Sequence, residues 1–157
     1  MKYITDNSRI LSREELSSPE EITNEIPLDK ESSKLIFGAR RSISQILHRQ
    51  DDRLIVVVGP CSIHDPKSAI EYAELLKEFS ASVENELVLV MRVYFEKPRT
   101  TIGWKGLIND PRIDNSFQIN EGLRISRKLL KDLADLGMPT GTEFLDLISP
   151  QYVSDLV

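Results

Sequence analysis

The chain has 157 residues, of which 40% are hydrophobic and 29% are charged, and its formal net charge is −5 at pH 7. These values are typical of a soluble globular domain, and the acidic balance argues against a nucleic-acid or membrane-surface partner. The longest apolar runs have five residues, whereas a membrane span needs roughly 20. With one cysteine and no apolar leader at its start, the chain is predicted to be cytoplasmic.

Residues 1–50 are predicted to form an N-terminal helical extension. Ser18 and Pro19, followed by two glutamates, are typical of a helix start. A longer helix is predicted from near Asp29 to His48, with one apolar stripe that consists of Leu35, Ile36, Ala39, Ile43, Ile46 and Leu47. This extension is interpreted either as a layer that covers the main domain or as an oligomerisation or regulatory arm.

Strands and helices alternate from Leu54 onward. The β-branched run over residues 54–58 predicts a strand covered on both faces. Asp65 and Pro66 open a helix that runs to about Ser80, and a second strand is predicted over residues 87–95. The inner face of this helix is predicted to carry Ala69, Ile70, Ala73, Leu76 and Phe79.

A long loop, roughly residues 96–118, separates the second strand from the next helix. That helix is predicted over residues 121–136, with Asn120 as its N-cap and Gly137 as its stop. A short third strand follows over residues 140–144, and Ser149 with Pro150 opens another helix.

The order of these elements predicts an α/β fold with parallel strands and right-handed crossovers over residues 51–157. About three strand–helix units are present, and a doubly wound sheet and a (β/α)8 barrel begin in the same way. The turn after the first strand, residues 59–62, matches neither a Rossmann nor a P-loop pattern, which argues against nucleotide binding.

Cys61 follows the first predicted strand directly. A free cysteine is often a small buried apolar residue. Its position at a strand end, three residues before His64, instead favours a thiolate ligand or a nucleophile. Two ligands leave a metal site half built, so His64 is interpreted as a residue that orders the turn.

Arg92 interrupts the second apolar strand, where an unpaired charge is costly, so it needs a carboxylate or phosphate partner. Further cations and hydroxyls crowd the loop that follows: Lys97, Arg99, Thr100, Thr101, Lys105 and Arg112. In one interpretation the loop is solvated and Arg92 pairs with Glu143 of the third strand. In the other, the cations form a cradle for phosphate and carboxylate groups. Either way, the three strand ends carry functional groups at one edge.

Four segments together carry a resemblance to a known family. They are residues 59–65 (GPCSIHD), 91–101 (MRVYFEKPRTT), 103–111 (GWKGLINDP) and 143–146 (EFLD). They closely resemble 3-deoxy-D-arabino-heptulosonate-7-phosphate (DAHP) synthase, in particular the type I enzyme of bacteria and fungi that an aromatic amino acid inhibits. The resemblance covers essentially the whole chain.

The resemblance implies a (β/α)8 (TIM) barrel with an N-terminal extension. It also implies the condensation of phosphoenolpyruvate with erythrose 4-phosphate, the first step of the shikimate pathway, in a protein that forms a homo-oligomer. A divalent metal (Mn, Fe, Co or Zn) is implied as the cofactor, with Cys61 as a ligand. Arg92 would bind phosphoenolpyruvate and Lys97 would lie between the substrates. The remaining substrate-binding residues would be Pro98, Arg99 and Thr100 for erythrose 4-phosphate, and Glu143 for phosphoenolpyruvate.

The chain is short for this family, because a barrel takes about 250 residues and eight strands. It is therefore expected to be the N-terminal half of the enzyme, lacking the other metal ligands and inactive alone. The effector site implied by the resemblance draws on Asp6, Asn7, Leu147, Pro150 and Gln151. The alternatives are a non-catalytic half-barrel, either a pseudo-enzyme or a binding protein, and an unrelated phosphate-binding aldolase.

Overall fold

The computed structural model describes residues 5–10, 13–98 and 102–157. Its three strands, β1 (Leu54–Val58), β2 (Leu87–Arg92) and β3 (Thr140–Gly141), form one parallel sheet in the order β1-β2-β3. Leu54 pairs with Leu87, and Met91 pairs with Thr140. The predicted α/β class with parallel strands is confirmed.

The described residues also form five helices that accompany this sheet. They are α1 (Pro19–Glu25), α2 (Lys30–Leu47), α3 (Pro66–Ser82), α4 (Ile119–Leu136) and α5 (Pro150–Val153), and a 3-10 turn follows α5 over Ser154–Leu156. Ser18, Asp29 and Asp65 cap the first three, because each side-chain oxygen accepts a backbone N–H of the first turn. None of the helices within the described ranges is long and apolar enough to span a membrane.

The start of α4 differs from the prediction. The helix begins at Ile119, with Gln118 rather than Asn120 at its N-cap and without a side-chain cap. Asn120 lies inside the first turn, where its amide instead accepts from Ser17 N (2.8 Å) and donates to Glu15 O (3.0 Å). Long-range contacts with the N-terminal segment have therefore replaced the local cap. The predicted stop at Gly137 is confirmed, with a left-handed φ of 85°.

Two strands are shorter than predicted. β2 ends at Arg92 rather than near residue 95, and β3 ends at Gly141 rather than at residue 144. Val93 N still donates to Gly141 O (2.9 Å), but beyond that bond the segments that follow β2 and β3 separate. The side chains that follow each strand therefore lie on loops at the carboxyl edge of the sheet.

The core lies between the sheet and helices α3 and α4, and is largely aliphatic. The prediction that β1 is covered on both faces is wrong, since Leu54 is 66% exposed and Val57 is 56% exposed. Within the described residues, β1 is an edge strand with a neighbour on one side only. The predicted stripes of α2 and α3 are also wrong at one end, because Leu47 and Phe79 are exposed. No described element packs against those two side chains closely enough to bury them.

Candidate active site

The segments that follow β1 and β2 are held in close contact. A Cβ on Gly59 would lie 2.7 Å from the carbonyl oxygen of Arg92, so only glycine allows the two backbones to approach this closely. Ile63 N then donates to Tyr94 O (2.8 Å), which joins the two loops further along. Cys61 lies between these two backbone contacts, at Gly59 and at Ile63. It is exposed, contrary to the expectation for a structural cysteine.

Arg92 projects from the end of β2 toward the loop after β1. Its Nη2 donates to Cys61 O (3.1 Å), and its Cζ lies 3.9 Å from the ring centroid of Tyr94, a cation–π contact. Its Nε is buried and has no hydrogen-bond partner within the described residues. The ion pair with Glu143 that the sequence left open is not formed among them. Arg92 therefore keeps an N–H donor and its charge for an anion.

Lys97 completes a small polar cluster with Arg92 and Cys61. Its Nζ lies 3.1 Å from Cys61 Sγ. The backbone beneath it is fixed, since Lys97 N donates to Lys105 O (3.0 Å) and Glu96 forms an antiparallel bridge with Gly106. A Cβ on Gly106 would lie 2.1 Å from Phe95 O, and this glycine has a φ of 105°, so no other residue fits the hairpin well. The cluster can bind an oxyanion through two different cations.

The other predicted substrate-binding residues are less well defined. Pro98 is exposed beside Lys97, and Glu143 is exposed two residues after β3, near the same sheet edge. Arg99 and Thr100 lie outside the described residues. Arg112 pairs with Glu121 of α4 (2.9 Å), so it is neutralised away from the cluster. The structure thus brings together Cys61, Arg92 and Lys97, but does not bring Arg112 to them.

The described residues do not fit a complete metal centre. No group of three or more His, Cys, Asp or Glu side chains within them is arranged to hold an ion. Cys61 offers one thiol, and a stable site needs about four ligands. His64 is exposed on the turn that leads into α3.

The residues predicted for the effector site fall into two groups. Leu147, Pro150 and Gln151 lie together at the start of α5, where Gln151 Nε2 donates to Leu147 O (3.1 Å). Asp6 and Asn7 lie on the N-terminal segment, where Asn7 Nδ2 donates to Asp6 Oδ2 (2.9 Å). No hydrogen bond or ion pair within the described part of the chain joins the two groups.

The sequence interpretation missed Glu96, which precedes Lys97. Glu96 is half-buried, and Ser149 Oγ donates to its Oε2 (3.1 Å). Burial is the main cause that raises the pKa of Glu96, and the negative charge of Asp146 raises that pKa further. The signal in the sequence was a pair of acids, Glu96 and Asp146, a few residues beyond adjacent parallel strands.

The fold and this cluster agree with the comparisons. The model of the DAHP synthetase I family matches residues 24–157, so the chain belongs to that family. The family resemblance drawn from the four motifs is confirmed.

Particular relatives are closely similar. The chain is 55% identical over 152 residues to a phospho-2-dehydro-3-deoxyheptonate aldolase of Amycolatopsis methanolica, covering 97% of this chain and 75% of that protein. It is 54% identical to the Phe-sensitive aldolase of Escherichia coli K12, covering 100% of this chain and 45% of the relative. Its identity to the Tyr-sensitive aldolase of the same strain is 52%, covering 99% and 44%.

A solved structure matches as well. The phospho-2-dehydro-3-deoxyheptonate aldolase of Francisella tularensis SCHU S4 superposes with a TM-score of 0.90 at 52% identity, over 94% of this chain and 43% of that one. The chain therefore spans less than half the length of this protein and of the two Escherichia coli relatives.

Proposed function

We propose that this chain supplies the N-terminal part of a DAHP synthase. The complete enzyme would condense phosphoenolpyruvate, erythrose 4-phosphate and water to DAHP and inorganic phosphate, the first step of the shikimate pathway. The observation that carries this proposal is that two cations, Arg92 and Lys97, both lie beside Cys61 at the carboxyl ends of parallel strands. Arg92 also has a buried N–H without a partner among the described residues. Two anionic substrates require such concentrated positive charge in an otherwise acidic chain.

Each residue of the cluster has a proposed role. Arg92 binds phosphoenolpyruvate through a charge-assisted hydrogen bond, a contact typically worth about 1.5–3 kcal/mol. Lys97 lies between the substrates, where a mobile ammonium can follow the charge that develops on oxygen. Pro98, Arg99 and Thr100 hold erythrose 4-phosphate, and Glu143 lines the phosphoenolpyruvate pocket.

The architecture that supports this role is a (β/α)8 barrel. Residues 1–50 form the extension, and residues 51–157 form the first strand–helix units of the barrel. Relatives of this family depend on a divalent metal, and Cys61 is proposed as one ligand. Since the described residues do not complete that site, the 157-residue chain is expected to be inactive by itself.

Regulation by an aromatic amino acid is part of the proposal. Relatives carry the names Phe-sensitive and tyrosine-inhibited. The proposed effector site combines Asp6 and Asn7 with Leu147, Pro150 and Gln151, in a cytoplasmic homo-oligomer. The exposure of Leu147, 89%, suits a side chain that a ligand or a partner subunit covers.

Arg92 provides the test. In the complete protein, Arg92→Met is expected to lower kcat/KM for phosphoenolpyruvate about ten- to a hundredfold, because a charge-assisted contact is lost. Arg112→Met is the matched control, since Arg112 lies on the neighbouring loop but already pairs with Glu121. The measurement is heptulosonate formation with varied phosphoenolpyruvate.

Three outcomes would contradict parts of the proposal. Equal effects of the two substitutions would remove the assigned role of Arg92. Sustained heptulosonate synthesis by the purified 157-residue chain would overturn its expected inactivity. A complete protein without synthase activity would favour the alternative of a non-catalytic binding protein.

A further inference from the structure

A small cavity lies on the side of the Lys97 loop that faces α5. Its volume is about 150 Å³, and its apolar wall includes Ile108, Leu123 and Ile148. Two carboxyl groups, Glu96 and Asp146, line the same cavity. Carboxyl groups are rarely placed beside apolar walls and beside each other unless they share a proton or bind donors.

Glu96 is the centre of the contacts across this cavity. Its carboxyl accepts from Ser149 Oγ (3.1 Å), from the side chain of Asn109 and from the backbone N–H of Leu145. A side-chain hydrogen bond also joins the carboxyl groups of Glu96 and Asp146. One side chain from the β2–α4 loop therefore binds three residues of the segment between β3 and α5.

Asp146 is itself held firmly in place. Its Oδ1 accepts the backbone N–H groups of Ile148 and Ser149, both at 2.7 Å. Burial alone would raise the pKa of Asp146, but these two bonds, together with side-chain hydrogen bonds from Ser149 and Glu96, outweigh it and lower that pKa. Asp146 thus stays a carboxylate, and it is a fixed acceptor for a proton on Glu96.

The position of Glu96 in the chain connects this network to the cluster at Cys61. Glu96 and Lys97 are consecutive residues in a bridged, extended segment, where successive side chains point to opposite sides. The side chain of Glu96 binds the segment that precedes α5, while Lys97 Nζ reaches Cys61 Sγ. Any shift of the Glu96 backbone must move the origin of the Lys97 side chain.

We propose that Glu96 is a positioning residue that, through a proton shared with Asp146, locks the loop to the segment before α5 and so holds Lys97 beside Cys61. The catalytic meaning of this lock rests on the proposed function, but its geometry does not.

The lock has a pH dependence whose sign is set by its two acids. The titratable groups that line the cavity within the described residues are Glu96, Asp146 and Tyr152. The hydroxyl of Tyr152 is engaged with Ser17 O (2.7 Å), and burial raises the pKa of this phenol, which keeps it neutral. As pH rises through the elevated pKa of Glu96, a second carboxylate forms beside Asp146, and their repulsion loosens the lock.

The chain offers a direct probe of this geometry, because Cys61 is its only cysteine. The rate at which dithiodipyridine modifies Cys61 reports on whether the Lys97 ammonium stabilises the thiolate. Lys97→Met removes that ammonium, so its rate of Cys61 modification is the reference for a thiol without the neighbouring charge. Glu96→Ala removes the lock and Glu96→Gln keeps a donor for Asp146. Glu121→Ala is the matched control, a glutamate beside the same loop whose one ion pair among the described residues is with Arg112.

We expect Glu96→Ala to slow modification about fivefold, close to the rate of Lys97→Met, because loss of a unit charge at contact distance in an exposed site has this size. Glu121→Ala is expected to match the wild type. Glu96→Gln is expected to retain the wild-type rate at a pH below the raised pKa of Glu96 and to exceed it at a pH above that pKa, because glutamine does not ionise. Circular dichroism confirms that each variant is folded.

Two results would overturn the proposal. One is that Cys61 is modified as fast in Glu96→Ala as in the Glu121→Ala control, although its modification is slower in Lys97→Met. The other is a constant rate ratio between Glu96→Gln and the wild type on both sides of the raised pKa of Glu96, which stays decisive if Glu96→Ala does not fold. Because no substrate takes part, these results are independent of the heptulosonate assay, so each proposal can fail without the other.

Discussion

Two arginines in different regions of the molecule have opposite hydrogen-bonding environments. Arg127 of α4 is fully buried, and its guanidinium donates to Ile26 O (2.9 Å), to Tyr152 O (2.6 Å) and to both carboxylate oxygens of Asp155 (2.7 and 2.9 Å). Arg92 at the sheet edge makes one hydrogen bond and leaves its buried Nε without a partner in the described chain.

The comparison teaches how to separate a structural arginine from a binding one. The hydrogen bonds of Arg127 join α4 to the end of α1, to α5 and to the 3-10 turn that follows α5. The side chain is therefore part of the scaffold. The unsatisfied donor of Arg92 is a cost to folding that a bound anion can offset. Satisfaction of the donors, rather than burial or charge, distinguishes the two roles.

Removal of Arg127 is expected to have the largest effect on stability. Arg127→Met should lower the free energy of unfolding by about 3–5 kcal/mol, because it removes the four hydrogen bonds of a fully buried guanidinium, two of them to the half-exposed Asp155, and leaves two carbonyl groups unpaired. Urea denaturation followed by circular dichroism measures this change. Arg124→Met, one turn earlier on α4, is the control, because its pairs with Glu21 and Glu25 are solvated and should contribute far less to stability. Similar losses for both would remove the contrast.

An intermediate effect is expected for the partner of Arg127. Burial alone would raise the pKa of Asp155, but the hydrogen bonds and charge of Arg127 outweigh it, so this pKa is lowered. A lowered pKa gives stability that is present at neutral pH and is lost as pH falls through the folded-state value. Asp155→Asn should cost about 1–2 kcal/mol at pH 7 and should make the unfolding free energy less sensitive to acid. An unchanged acid slope would show that Asp155 is not the group that titrates.

The smallest effect on stability is expected at Arg92. Arg92→Met loses a hydrogen bond and a cation–π contact, together worth about 1.5–2 kcal/mol. It also removes an unpaired buried donor whose cost is about 1–3 kcal/mol, so the net change should lie within about 1 kcal/mol of zero. The same urea titration measures it. A loss as large as that of Arg127→Met would place Arg92 in the scaffold instead.

Much of the fold could be predicted because its signals are local. The helix starts at Ser18 and Asp65, the start near Asp29 and the stop at Gly137 depend on a few adjacent residues, and they are confirmed. The predictions for Asn120 and for the covered faces of β1 are wrong, because tertiary neighbours decide them.

The candidate site divides in the same way. Cys61, Arg92 and Lys97 could be found because each follows a strand within a long motif, and parallel strands bring their carboxyl ends together. Glu96 was missed because its environment comes from Ser149 and Asp146, some fifty positions away, and nothing adjacent to it indicates burial. Arg127 was missed for the same reason, since its partners lie on α5, the 3-10 turn that follows it, and the end of α1.

The sheet order β1-β2-β3 is also the order in which a ribosome makes the strands. Each strand that emerges pairs with the one made just before it, so the sheet can be extended step by step during synthesis without waiting for a distant segment. Throughout that growth the newest strand and β1 both present unpaired backbone groups to the surroundings. Leu54 and Val57, exposed on β1, add apolar side chains to that unpaired edge, so a growing chain would gain from a chaperone's protection there.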